Sequence, residues 1–189
     1  MTKCAIFMAD GFETCEGLIT VDLLRRAGLS IDTVSINGTN DVTTSHGVHL
    51  KTDLVWDEID PASYDVLILP GGKLGTQNLE AFEPLRQAVR RHTDEGRLMC
   101  AICAAPSILG HMGILKGKNY TCFPDFEDAS YEGSYQMELA VRDGQLITGR
   151  GMGATIEFAR TIIRTLCGEE VLTKVDRGIQ YEHRFKELG

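Results

Sequence analysis

Residues 98–106, with the sequence LMCAICAAP, constrain the fold of this chain more than any other stretch. The first five residues form a short apolar run, which is typical of a strand buried on both faces. The run leads through Cys103 into two alanines and Pro106. Small residues permit a tight turn, and proline is tolerated in the first turn of a helix because its missing N–H is not needed there. The stretch predicts a buried strand over 98–102, a corner at Cys103 and a short helix that ends near Gly110.

Apolar runs and helical patterns alternate along the rest of the chain. Further strands are predicted over 3–9, 31–37, 65–69 and 120–123. Helices are predicted over 14–26, 78–94 and from Gly153 to Leu166, and hairpins over 42–50 and 139–148. Strands that alternate with helices favour a mainly parallel sheet covered by helices on both faces. Because no repeat or linker is visible, residues 1–189 are predicted to form a single α/β domain.

Composition and charge exclude several classes of protein. With 189 residues and 43% hydrophobic residues, the chain can bury a sizeable core. A formal net charge of −8 and the absence of a Lys/Arg block argue against nucleic-acid binding. No signal peptide or apolar run of membrane-spanning length is visible. We therefore interpret the six cysteines as reduced thiols and predict a cytoplasmic protein.

In a parallel sheet the ligand site lies beyond the carboxyl ends of the strands. Three loops should meet there: the loop after Ala9, the loop containing Gly71 and Gly72, and the corner at Cys103. A thiol at a helix start faces free N–H groups, which lower its pKa, so Cys103 is the predicted nucleophile. The backbone N–H groups of Gly72 and Ala104 are predicted to form an oxyanion hole for a carbonyl substrate.

Glu16 follows Cys15 in the first turn of the helix predicted over 14–26, above the same end of the sheet. A carboxylate in this position is either a favourable partner of the helix dipole or, in a confined site facing a thiol, a group of raised pKa that moves protons. The residue pattern leaves both alternatives open. The candidate substrate pocket also includes Cys15, His46, Gly71 and Phe123.

Three patterns suggest other chemistry. Cys100 and Cys103 form a C-x-x-C pair, a signature of redox or metal sites, but Cys100 falls inside a predicted strand and is better interpreted as core. His46 and His49 supply only two metal ligands, so we expect solvated histidines and no metal. The glycines between Gly149 and Gly153 lack the rest of a nucleotide fingerprint and are interpreted as a turn or packing feature, so no cofactor is expected.

The chain resembles the DJ-1/ThiJ/PfpI superfamily over nearly its whole length. The resemblance is carried by Glu16, by the segments DLLRRAG and LPGGKLGTQNL, by AICAAP around Cys103, and by TGRG at 148–151. It implies a flavodoxin-like three-layer sandwich, usually a homodimer. It also implies that Cys103 is the reactive thiol and that a protonated Glu16 hydrogen-bonds its sulfur, with Gly72 and Ala104 as backbone donors.

Two departures from the family patterns bear on activity. Human-type members carry a histidine before the proline that is Pro124 here, whereas this chain has Phe123, as bacterial ThiJ-like members do. The protease-like branch has histidine directly after the nucleophile, where this chain has Ala104, so a Cys-His-Asp protease is not expected. His46 occupies the hairpin position at which relatives carry an anion-binding arginine that is contributed across the dimer.

The resemblance implies two functions of different classes. In the first, the chain is a glutathione-independent glyoxalase or protein deglycase, and Cys103 and Glu16 convert methylglyoxal or glycated side chains to a 2-hydroxy acid such as lactate. In the second, the chain is a redox sensor or chaperone in which Cys103 is oxidised to sulfinate. Both roles need a thiolate in the same pocket, so the sequence does not decide between them.

Overall fold

The computed structural model describes residues 2–182, and the two ends of the predicted 1–189 domain lie outside this range. Its strands are β1 (Lys3–Met8), β2 (Ser30–Ser35), β3 (Asp41–Thr43), β4 (His49–Lys51), β5 (Leu54–Val55), β6 (Val66–Leu69), β7 (Leu98–Ile102), β8 (Asn119–Tyr120), β9 (Ser134–Tyr135), β10 (Ala140–Asp143) and β11 (Leu146–Gly149). Its helices are α1 (Thr14–Arg26), α2 (Lys73–Ala81), α3 (Glu83–Asp94), α4 (Pro106–His111) and α5 (Thr155–Gly178).

Seven strands form the central sheet in the order β10-β11-β7-β6-β1-β2-β5. All neighbouring pairs are parallel except β10 and β11, which form an antiparallel hairpin at one edge. β7 lies between β6 and β11, so its carboxyl end, which leads to Cys103, is flanked by the ends of two other strands. This arrangement confirms the predicted α/β fold with a mainly parallel sheet.

The alternation of side chains along β1 shows how the sheet separates two cores. Cys4, Ile6 and Met8 point to the face covered by α1 and α5, whereas Ala5 and Phe7 point to the face covered by α2, α3 and α4. All five side chains are fully buried. Both faces of the sheet are therefore apolar, which explains why the strands are continuous hydrophobic runs. The result is the predicted three-layer sandwich.

Several predicted elements differ from the structure in their bounds. The single helix predicted over 78–94 is two helices, because the chain leaves the helical conformation at Phe82 before α3 begins. The strand predicted over 120–123 pairs only through Asn119 and Tyr120. The last helix continues past Leu166 to Gly178, with a break at Gly168, where φ is +80°. Within residues 2–182 there is no helix whose length and apolar character suit a membrane crossing.

Candidate active site

Cys103 occupies a sharp corner between β7 and α4. Its φ of +66° lies in the left-handed region, which is uncommon for a residue other than glycine. Hydrogen bonds hold the corner on both sides: the Cys103 N–H donates to the Gly149 carbonyl at 2.9 Å, and the Cys103 carbonyl accepts from the Phe123 N–H at 2.8 Å. Strained backbone that is fixed in this way is characteristic of functional sites. The corner predicted from the sequence is confirmed.

Glu16 lies in the first turn of α1 and is fully buried. Its Oε2 accepts a hydrogen bond from the Gly71 N–H at 2.8 Å, which links the helix to the glycine loop after β6. Burial raises the pKa of Glu16 from 4.5 to about 7, and the nearby Cys103 thiol and the Gly71 N–H offset this effect only in part. Glu16 is therefore a carboxyl that can both hold and release a proton near neutral pH.

The Cys103 thiol does not have the lowered pKa that its position at a helix start predicts. Burial, followed by the neighbouring Glu16 carboxylate, raises the pKa of Cys103 to about 12, while the N–H groups of Gly72 and Ala104 act in the opposite direction. The two N–H donors are outweighed because the thiolate would lie in a largely desolvated position beside a carboxylate. The carboxylate's contribution disappears when Glu16 carries the proton, so the thiolate forms more easily beside a protonated Glu16 than beside its carboxylate.

The glycine loop allows this close approach. A Cβ on Gly71 would lie 2.5 Å from the Cys103 Cβ and 2.7 Å from Glu16 Oε2, so a side chain would displace both groups. Gly72 has a φ of +88°, and a Cβ there would lie 2.4 Å from the Gly11 carbonyl oxygen. The bare backbone noted in the sequence thus lets the loops after β1, β6 and β7 meet at one point.

Phe123 and Gly151 form the outer rim of the site. The Phe123 side chain is 47% exposed, and a Cβ on Gly151 would lie 3.2 Å from its ring and 4.0 Å from the Cys103 sulfur. Gly149 packs against Ile102, which agrees with the packing role predicted for this glycine segment. The sequence does not predict the position of Gly151 beside the thiol. Its signal is a glycine-rich turn before a helix, which without the rest of a nucleotide fingerprint indicates only a turn or a packing feature.

His46 interacts with its own hairpin and with the residue before α1, and Cys15 is a partly buried free thiol in the first turn of α1. His46 lies at the tip of the β3–β4 hairpin, exposed, with its Nδ1 2.9 Å from the Ser45 hydroxyl and 3.6 Å from Glu13 Oε2. His49 interacts instead with the Thr43 hydroxyl. In the described part of the chain, no cluster of three or more His, Cys, Asp or Glu side chains is arranged to hold a metal ion.

Cys100 lies in the middle of β7, is fully buried, and is a free thiol, as is Cys103. Burial raises its pKa well above the usual value. Cys100 is therefore part of the core, as its place in the predicted strand indicated.

Comparisons with known proteins agree with this architecture. The chain is 34% identical over 175 residues to protein DJ-1 homolog B of Arabidopsis thaliana, a match that covers 92% of this chain and 40% of that longer protein. It is 30% identical over 160 residues to the glutathione-independent glyoxalase DJR-1.2 of Caenorhabditis elegans, covering 84% of each. The crystal structure of the C103A mutant of a DJ-1 superfamily protein from Salmonella typhimurium superimposes with a TM-score of 0.91 at 35% identity, covering 96% of this chain and 100% of that one.

The sequence model of the DJ-1/PfpI family matches residues 2–165, which is most of the chain. This match includes every residue placed at the site above, from Glu16 to Gly151. The chain belongs to the DJ-1/PfpI family.

Proposed function

We propose that this protein is a cysteine-dependent enzyme that converts reactive 2-oxoaldehydes such as methylglyoxal to 2-hydroxy acids without glutathione. One observation carries the proposal: a thiol and a buried carboxyl with a pKa of about 7 meet at Gly71, with the N–H groups of Gly72 and Ala104 beside the sulfur. A glyoxalase relative at 30% identity supports the same chemistry.

In the proposed reaction, the sulfur of Cys103 adds to the aldehyde carbon, and the carbonyl oxygen takes up a proton to give a hemithioacetal. Glu16 accepts the proton of the thiol and passes it to the carbonyl oxygen, which regenerates the carboxylate. The carboxylate is then placed to remove the hydrogen from the former aldehyde carbon and to return that proton to the neighbouring carbon. The product is a thioester of a 2-hydroxy acid, which one water molecule hydrolyses to lactate and free Cys103. Methylglyoxal plus water equals lactic acid, so no external oxidant or reductant is needed.

A carboxyl with a pKa of about 7 suits both halves of this proton transfer, because it is partly protonated and partly ionised at neutral pH. Phe123 offers no base, and its half-exposed ring lies at the rim of the site beside Gly151. Glu16 therefore carries the proton transfer in the proposed mechanism, while the N–H groups of Gly72 and Ala104 stabilise the oxyanion.

The decisive experiment is the rate of lactate formation from methylglyoxal by the wild type, Cys103→Ser and Glu16→Gln. Both variants should lose at least 100-fold in turnover, the usual range for a nucleophile or general base. Cys167→Ser is a matched control, since Cys167 lies on α5 in a partly buried position and should retain wild-type activity. Lactate production by Cys103→Ser at the wild-type rate would contradict the proposal.

The same adduct chemistry extends the proposal to glycated protein side chains, from which methylglyoxal would be removed as lactate. We also propose that the protein works as a homodimer in the cytoplasm. Large apolar side chains are exposed on α1, on the β3–β4 hairpin and at the start of α5, namely Leu18, Val48 and Ile156. A second copy that covers them would bring new side chains towards the site, and analytical ultracentrifugation tests this assembly.

A second candidate function, a redox sensor, is favoured by the difference in exposure among the cysteines. Cys4, Cys100 and Cys122 are buried, whereas Cys103 is only partly buried and has N–H donors that suit a sulfinate. Mass spectrometry after graded peroxide should then find oxidation concentrated at Cys103. Equal oxidation of all partly buried cysteines would count against a tuned sensor.

A further inference from the structure

A cavity of about 250 Å³ lies between α2, α4 and the segment at 125–131. Three of its lining residues come from elements that also build the cysteine site. Lys73 directly follows the glycine loop, Ser107 lies one helical turn after Cys103, and the Phe126 ring packs edge-on against Phe123 with centroids 6.3 Å apart. The cavity and the thiol therefore share the starts of α2 and α4 and the pair of phenylalanine rings.

The cavity is lined by four carboxyl groups and one ammonium group. The carboxyls are those of Glu80, Asp125, Glu127 and Asp128, and the ammonium is that of Lys73. Hydrogen bonds from the backbone and side chain of Ser130 hold the pKa of Asp128 below its usual value. The lining is therefore anionic at neutral pH, which favours a positively charged ligand.

One wall of the cavity is fixed by a chain of hydrogen bonds. The Nδ1 of His111 lies 2.6 Å from Glu80 Oε1, and its Nε2 lies 3.2 Å from the Tyr131 hydroxyl. The rings of His111 and Tyr131 also pack edge to face. Burial raises the pKa of Tyr131 to about 12, so its hydroxyl remains protonated. These contacts hold the Glu80 carboxylate in one orientation before any ligand arrives.

Thr76 gives an independent indication that the cavity takes a ligand. It belongs to the cavity lining, its residue is only 3% exposed, and its hydroxyl oxygen Oγ1 is buried without a hydrogen-bond partner. A buried polar group without a partner costs roughly 1–3 kcal/mol. A ligand that donates a hydrogen bond to Thr76 would remove that cost. A solvated acidic loop alone would not account for the unpartnered hydroxyl.

We propose that the cavity is a subsite for a guanidinium group, so that the enzyme prefers 2-oxoaldehyde adducts carried on arginine side chains. A guanidinium group offers five N–H donors in one plane, stacks on aromatic rings and pairs with carboxylates, whereas an ammonium group is a compact point charge. The Phe126 ring, the carboxylates and the hydroxyl groups of Thr76 and Ser107 match the guanidinium group. The link to turnover rests on the proposed function, but the binding site does not.

Binding is measured on the Cys103→Ser protein, in which no turnover occurs, by ¹H–¹⁵N NMR titration with Nα-acetyl-arginine amide. The matched neutral ligand is Nα-acetyl-citrulline amide, in which a ureido group replaces the guanidinium group. We expect the arginine compound to shift the amide signals of Thr76, Ser107 and Phe126 and to bind at least tenfold more tightly than the citrulline compound. Equal binding of the two compounds, or shifts that lie away from the cavity, would overturn the proposal.

Two double variants distinguish binding at the subsite from a general effect of the protein's negative charge. Asp125→Asn with Glu127→Gln should weaken the arginine compound at least tenfold, whereas Glu169→Gln with Glu170→Gln, an equal charge change on α5, should leave it within twofold. Thr76→Val should weaken it about fivefold, the loss of one hydrogen bond, without loss of folding. Equal weakening by both double variants would overturn the proposal. A wild type that makes no lactate from methylglyoxal would contradict the proposed function alone.

Discussion

The Glu16 carboxyl and the Cys103 side chain meet at Gly71. The Gly71 N–H donates to Glu16 Oε2 at 2.8 Å, and a Cβ on Gly71 would lie 2.5 Å from the Cys103 Cβ. The thiol and the carboxyl thus share one desolvated space, and each changes the protonation of the other. Because two adjacent negative charges are costly there, the pair carries a single negative charge over a wide pH range.

The raised pKa of Glu16 predicts a pH-dependent cost in stability. The folded protein keeps the Glu16 proton up to about pH 7, whereas the unfolded chain loses it near the ordinary value of 4.5. The folded state therefore binds more protons in this window, and stability falls as the pH rises through it. Relative to the wild type, Glu16→Gln should gain about 3 kcal/mol in unfolding free energy between pH 4 and pH 8.

Urea denaturation of both proteins at pH 4.5, 6 and 8 measures this gain. Glu170→Gln is the control, since Lys174 lowers the pKa of Glu170 and its loss should bring no gain as the pH rises. A stability difference between Glu16→Gln and the wild type that is equal at all three pH values would show that the buried carboxyl has no raised pKa.

Glu16→Gln should also have opposite effects on thiol reactivity and on turnover. Removing the carboxylate removes a charge that raises the pKa of Cys103, so the thiolate fraction rises at a given pH. Alkylation of Cys103 by iodoacetamide at pH 7, followed by mass spectrometry, should accelerate about tenfold for each unit by which the pKa falls. Lactate formation should fall in the same variant, because the proton-transfer group is gone. A parallel decrease of both rates would point to a distorted site.

The sequence predicts the two elements that carry the reactive pair with the bounds seen in the structure, β7 at 98–102 and α1 at 14–26. Their apolar patterns and their position in a parallel sheet are local or topological properties. The start of α2 was missed because Gly72 provides no capping side chain and Gly75 argues against a helix. Gly75 is needed there for a tertiary reason, since its Cβ would lie 2.6 Å from the Phe12 Cα.

The direction of the thiol pKa was not predictable for a similar reason. The helix start that lowers a thiol pKa is visible in the sequence, but the depth at which Cys103 is buried and its contact with Glu16 arise only when three loops meet. The cavity between α2 and α4 was equally invisible, because Glu80, His111 and Tyr131 are far apart in the sequence and form no motif.

Gly71→Ala should disrupt the site by steric overlap alone. The added methyl group would meet the Cys103 Cβ and the Ile102 carbonyl oxygen at 2.5 and 2.9 Å, and neither belongs to the flexible end of a side chain. We expect a loss of about 1–3 kcal/mol in unfolding free energy and a large loss of lactate formation. Gly153→Ala is the control, since a Cβ there meets nothing within 4 Å and should change stability by about 0.5 kcal/mol or less. Equal effects of the two substitutions would contradict the close approach at Gly71.

The buried ion pair between Arg160 and Asp176 should hold the two halves of α5 together across the break at Gly168. Arg160 Nε lies 2.8 Å from Asp176 Oδ1 and its Nη2 lies 3.0 Å from Oδ2, and Asp176 is fully buried.

Asp176→Ala removes a carboxylate partner of the buried Arg160 guanidinium group. The loss of one partner of a buried ion pair lowers the unfolding free energy by about 3–5 kcal/mol in typical proteins. Glu170→Ala removes an exposed pair with Lys174 and should leave the unfolding free energy almost unchanged. Urea denaturation of the two variants, followed by circular dichroism, measures both values. If Asp176→Ala proved as mild as Glu170→Ala, the second half of α5 would contribute little to the stability of the folded domain.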